Sequence, residues 1–99
     1  MFIVGGFNAY PAEIEGFLLE HPAVAQAAVI GVPDDRLGQV GKAFVVLKGG
    51  QESTVTAEDL TKWSRDRMAG FKVPRYVEFL DELPLNATGK VMKDQLINR

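Results

Sequence analysis

Val24-Ala25-Gln26-Ala27-Ala28-Val29-Ile30-Gly31-Val32 is the stretch on which the fold turns. It is apolar at odd and even positions alike and rich in Val and Ala, which reads as a strand covered on both faces. Pro33-Asp34-Asp35 then supplies turn residues. Lys42-Ala43-Phe44-Val45-Val46-Leu47 is a second strand of the same character, closed by Gly49-Gly50, and residues 49–55 read as a loose surface loop.

Upstream, Ile3-Val4 and the region near Tyr10 are short apolar pieces around Gly5-Gly6-Phe7-Asn8. Glycine and asparagine tolerate positive φ, so a tight hairpin or loop is expected there. Pro11 suits the first turn of a helix, and Glu13 and Glu15 complement its positive end. Ile14, Phe17, Leu18 and His21 follow the spacing of a buried stripe, and Pro22 stops it. Downstream, Thr56 and Asp59 resemble a capping box with Asp in place of Glu. The helix they open is expected to run to about Ala69, burying Leu60, Trp63 and Met68, with Gly70 as its cap. Tyr76–Leu80 is a third strand, Pro84–Gly89 a loop and Val91–Ile97 a terminal helix. The expected class is α+β: a small mixed or antiparallel sheet of about three main strands plus a short N-terminal hairpin, packed with helices.

Composition narrows the chemistry. Ninety-nine residues fit one domain, and 46% hydrophobic content argues against disorder. No cysteine is present, which excludes a disulfide framework, a thiol nucleophile and Cys-rich zinc sites. A single histidine, His21, cannot build a His-based metal cluster, and no metal ligands are assigned. Asp34-Asp35 reads as a turn, and Trp63 as core. The net charge of −2 is uneven: residues 1–60 carry eight acidic against three basic side chains, residues 61–99 five against eight. An anionic ligand is therefore expected at the C-terminal half, though the excess is too weak for a nucleic-acid surface. No apolar run approaches the ~20 residues that span a bilayer, and Met1-Phe2-Ile3-Val4 lacks the basic flank of a signal peptide. The expected setting is cytoplasmic.

Pro84-Leu85-Asn86-Ala87-Thr88-Gly89-Lys90-Val91 ends a polar loop by presenting a lysine beside a glycine. A compact ammonium there can span several oxygens at once, such as a carboxylate and a phosphate. Taken alone, the same residues also suit a solvated turn. They do not form a Walker A loop, because Pro84 stands at the first glycine and Val91 at the magnesium-binding hydroxyl.

Pro84-x-x-x-x-Gly89-Lys90-Val91-x-Lys93 resembles the last core motif of the adenylate-forming superfamily, which includes acyl-CoA synthetases, luciferases and peptide-synthetase adenylation domains. Ile3-Val4-Gly5-Gly6-Phe7-Asn8-Ala9-Tyr10-Pro11-Ala12-Glu13-Ile14-Glu15 resembles the motif that opens its C-terminal domain. His21-Pro22-Ala23-Val24, Gly31-Val32-Pro33-Asp34 and Phe71-Lys72-Val73-Pro74 fall between them in the family's order, so the resemblance covers essentially the whole chain.

The resemblance implies a two-step reaction. A carboxylic acid attacks the α-phosphorus of ATP, giving an acyl-adenylate and pyrophosphate; a thiol, here that of coenzyme A, then displaces AMP. It implies that Lys90, carried beside Gly89, is the lysine of the first step. It implies that Gly5, Gly6 and Phe7 enter for the second step and line the pantetheine tunnel, where a plain hairpin turn is the alternative. Phe71 and Lys72 match the place where relatives hold the nucleotide end of coenzyme A, although Phe71 also suits the edge of the core. Some relatives carry a basic residue at Val73, so phosphate contact here rests on Lys72 and Arg75. Mg²⁺ is expected with ATP, bound mainly by a large N-terminal AMP-binding domain. Residues 1–99 are then a C-terminal lid lacking that domain and the hinge residue before Met1, with negligible ligase activity alone. Two other readings stand beside this one: a peptide-synthetase lid, whose thiol belongs to a carrier protein, and a non-catalytic α+β interaction module. The acid activated is not readable from a lid.

Overall fold

The computed structural model describes residues 1–49 and 55–97. Most of the loop expected over residues 49–55 lies outside the described residues. The backbone forms β1 (Phe2–Val4), β2 (Phe7–Ala9), α1 (Pro11–Leu18), β3 (Val24–Asp34), β4 (Gly38–Leu47), α2 (Ala57–Arg65) and β5 (Tyr76–Phe79). This is the expected α+β arrangement of three main strands, a short hairpin and packed helices.

β1 and β2 pair antiparallel, and the Val4–Phe7 pair closes on Gly5-Gly6. Both glycines take positive φ, +56° and +91°, as a two-residue turn matched to strand twist requires. The Gly5 N–H donates to Leu37 O at 2.9 Å, tying this turn to the β3–β4 loop.

β3 and β4 form the long antiparallel hairpin at the centre of the fold. β3 runs through Pro33 to Asp34, so the expected turn begins later than its composition indicates. β3 is the outer strand of the β2-β1-β4-β3 path, where a missing proline N–H costs no ladder bond. Asp34 Oδ2 accepts from Leu37 N at 2.8 Å and Arg36 N at 3.0 Å, closing the turn. The Leu37 N–H is the main reason the Asp34 carboxyl titrates below its usual value. β4 pairs with β3 along one edge. Its other edge meets β1 at Gly38 and then β5 over Lys42–Val45. The β4–β5 pairing is parallel, which demands a crossover, and α2 provides it.

The sheet is buried on both sides, as the uninterrupted apolar run of β3 predicts. Val29 and Val45 face a core closed by Ile14 and Leu18 of α1 and Leu60 of α2. Ala28, Ile30 and Phe44 alternate with them onto the other face, which Leu83 and Leu96 cover.

Three helix expectations are corrected. α1 ends at Leu18 with Leu19 as its cap, so His21 lies past the helix and not on its stripe. α2 has the full capping box, Asp59 N donating to Thr56 Oγ1 and Thr56 N to Asp59 Oδ2, both at 3.1 Å. It stops at Arg65 instead of Ala69: the Asp66 and Arg67 N–H groups donate to carbonyls three residues back, Trp63 O at 3.3 Å and Ser64 O at 3.0 Å, and Ala69 is already extended at ψ 147°. Gly70 accordingly opens a 3₁₀ turn, Gly70–Lys72, and does not cap α2. The expected terminal helix over 91–97 is only a 3₁₀ turn, Lys93–Gln95. Val91 bridges back to Leu85, and Met92 N–H donates to Pro84 O at 2.7 Å. The first residues of the expected helix thus close a hairpin.

Candidate functional site

The Lys90 turn is held by one side chain. Asn86 Oδ1 accepts from Thr88 N at 2.9 Å, Thr88 Oγ1 at 2.7 Å and Lys90 N at 2.9 Å. The Asn86 N–H donates to Lys90 O at 2.9 Å, and Gly89 N–H donates to Asn86 O at 3.0 Å. Gly89 takes a φ of +86°, which a side chain would strain. The result is a small rigid hairpin with an exposed lysine at its end. Lys42, Lys72 and Lys93 are each ion-paired; among the described residues Lys90 forms no ion pair. Its amine therefore stands exposed beyond a hydrogen-bonded turn, with no carboxylate paired to it among the described residues, which suits capture of an anion.

The second group of candidates gathers elsewhere. Gly5, Phe7 and Phe71 line one shallow groove of about 300 Å³, with Leu37, Val73 and Arg75 completing its wall. Phe7 is 60% exposed, and its ring stacks on Phe71 with centroids 4.9 Å apart and planes 17° from parallel. One face of Phe71 is thus covered by another ring. Gly6 lies at the tip of the turn with nothing within 4 Å of a built Cβ. Lys72 does not line the groove; it pairs with Glu13, its ammonium 5.6 Å from the Phe71 ring centroid. The basic side chain on the groove wall is that of Arg75, whose backbone N–H donates to Gly41 O at 2.9 Å.

Lys90 and the groove share no lining residue, and α1 is linked to both segments. Glu13 pairs with Lys72, while Glu15 pairs with Lys93 at 2.8 Å and accepts from Val29 N at 2.8 Å. Residues two positions apart on a helix differ by about 200° in direction, so the two carboxylates face opposite flanks. Glu15 is thus committed to specific partners and is not the helix-dipole group expected from its position. Sequence reasoning also passed over Asn86, although an Asn three residues before a Gly-Lys pair is the signal of a side-chain-closed turn. Among the described residues no cluster of three His, Asp or Glu side chains is placed to hold a metal.

Residues 13–90 match the family of AMP-binding enzyme C-terminal domains. Over 97% of its length the chain is 53% identical to a 7a-methyl-1,5-dioxo-octahydro-1H-inden-4-yl propanoyl:CoA ligase of Rhodococcus jostii (strain RHA1), covering 18% of that protein. It is 50% identical over its whole length to a feruloyl-CoA synthase of an Amycolatopsis species, covering 20% of it. Among solved structures, 99% of the chain superposes on a fatty acyl CoA synthetase of Mycobacterium tuberculosis with a TM-score of 0.89 and 38% identity, covering 19% of that chain. The chain thus spans about a fifth of the length of these relatives.

Proposed function

We propose an activity from one settled premise: this chain belongs to the family of AMP-binding enzyme C-terminal domains. It serves as the lid of an ATP-dependent acyl-CoA synthetase. A carboxylate attacks the α-phosphorus of ATP and expels pyrophosphate, and the thiolate of coenzyme A then attacks the acyl carbon and expels AMP. Lys90 acts in the first step. Its ammonium draws carboxylate and phosphate oxygens together and stabilises the charge that grows between them. The observation that carries this role is its position: exposed, uncompensated among the described residues, and set on a hairpin whose backbone is fastened by Asn86.

The second step uses the other flank. Gly5 and Gly6 present bare backbone past which a thin thiol arm can slide, and Phe7 and Phe71 offer apolar contact beside it. Phosphates of coenzyme A meet Arg75 on the groove wall, and Lys72 once its pair with Glu13 opens. ATP, its Mg²⁺ and the acid are bound mainly by a large N-terminal domain, the lid's partner in the complete enzyme. We assign that enzyme to the cytoplasm, where ATP and coenzyme A are supplied; among the described residues no helix is long and apolar enough to cross a membrane.

In the complete enzyme, Lys90→Ala is expected to lower acid-dependent ATP–pyrophosphate exchange by roughly 10²–10³, the loss typical of one preorganised charge-stabilising group. Thioester formation from a presynthesised acyl-adenylate should persist. Exchange at the wild-type rate in this variant removes Lys90 from the reaction.

A further inference from the structure

We propose that Glu15 and Lys93 form a strut that sets where the Lys90 hairpin stands, making both positioning residues for adenylate formation. This role rests on the reading of Lys90 given above. β3 is the outer strand of its path, and such an edge carries backbone N–H groups with no ladder partner. One of them, Val29 N–H, donates to Glu15 Oε2 at 2.8 Å. The same oxygen receives the Lys93 ammonium, also at 2.8 Å. A chain of contacts therefore runs from the central hairpin, through α1, to the segment just past Lys90.

Lys93 follows by one residue the Met92 N–H to Pro84 O bond that closes the hairpin, so the pair holds the hairpin at its base. Glu15, Asn86, Lys90 and Lys93 line one open cavity of about 630 Å³, which places the strut beside the amine it would aim. Asn86 fixes the shape of the turn internally, but among the described residues no bond it makes reaches the sheet or α1. Among the described residues, Glu15–Lys93 orients the turn against the body of the fold together with the packing of Val91 and the burial of Leu83 and Leu96 on either side. The two side chains are 20% and 37% exposed, so water screens the pair only partly. Because Glu13 and Lys72 occupy the opposite flank, loosening this strut leaves the groove and its step in place.

The test uses the complete enzyme and measures the two half-reactions separately. Glu15→Gln and Lys93→Met should each lower pyrophosphate exchange by about tenfold, the scale of a small misplacement of a reacting group. Thioester formation from presynthesised acyl-adenylate should stay within about twofold of wild type. Because both variants break one contact, the double variant should be no slower than the worse single, and Lys93→Arg should restore exchange. Unchanged exchange, additive losses, or an equal fall in both half-reactions would each overturn the strut. Lys93 is half-exposed, so its variant decides the matter even should Glu15→Gln fold poorly. Lys90→Ala, run alongside, separates the two claims: if it abolishes exchange while the strut variants do not alter it, the strut alone is wrong. If it leaves exchange intact, the reading of Lys90 falls with it.

Discussion

Asn86 and His21 show how much of the fold's local order depends on single acceptors. Asn86 Oδ1 accepts three bonds at the lysine turn. His21 Nδ1 accepts from Ala23 N at 3.0 Å just where α1 gives way to β3, and its ring meets Trp63 edge-on at 5.1 Å. Burial lowers the His21 pKa below 6.5, the nearby Arg67 adds to that, and Asp59 opposes it. The folded value thus lies below the unfolded one, and the unfolded chain takes up the proton first. The His21 contribution is therefore present above pH ~6.5 and is lost as pH falls from there through the folded value. Protonation also turns the Nδ1 acceptor into a donor and breaks the Ala23 bond. Thermal melts between pH 7.5 and 5.5 should show a steeper loss for wild type than for His21→Asn, whose amide oxygen keeps the acceptor without titrating. Parallel curves would remove His21 from the pH response.

Between elements, the decisive contact is one that no local pattern announces. Gly31 of β3 and Gly41 of β4 are cross-strand partners, and the Phe2 side chain of β1 lies over both. A Cβ on Gly31 would come within 2.6 Å of Phe2 Cβ and 2.8 Å of Phe2 Cγ, while one on Gly41 would meet Phe2 Cζ at 3.3 Å. The aromatic ring fills the slot left by two absent side chains and docks the N-terminal hairpin on the sheet. Gly31→Ala should therefore cost about 1–3 kcal/mol, because the clash is at the root of Phe2 and not at its flexible end. Gly16→Ala on the exposed side of α1 has nothing within 4 Å and should instead stabilise by about 0.5–1 kcal/mol. Urea denaturation of the two variants, compared with wild type, checks both signs. The local grammar was readable here: the Thr56–Asp59 box, the Gly5-Gly6 turn and the apolar runs of β3 and β4 all formed as their residues indicate. Helix ends were not: α2 tightens into three-residue bonds at Asp66 and Arg67, and the Leu85–Val91 bridge takes the first residue of the expected terminal helix, where propensity looks continuous along the chain.

For the molecule as a whole, the proposed function implies a division of labour between two flanks of α1. On that proposal Lys90 serves the anionic step on one side, and Gly5, Gly6 and Phe7 serve the thiol step on the other. Gly6→Leu tests that division. Its side chain would enter open space, so the lid itself meets only the strain of a φ of +91°. In the complete enzyme it should leave pyrophosphate exchange within a few-fold of wild type while lowering thioester formation at least tenfold. Loss of both steps together would mean that the two flanks are not separable.

Strand count, fold class, the Gly-Lys turn and the family were all determined by the residues in order, because alternation, turn chemistry and motif spacing are properties of neighbours along the chain. Only the three-dimensional structure decided that Glu15 reaches Val29 and Lys93, that Lys72 is already matched by Glu13, and that Phe7 covers Phe71. Each of these joins residues far apart in sequence, and a carboxylate or a ring has no fixed partner until packing brings one within a few ångströms.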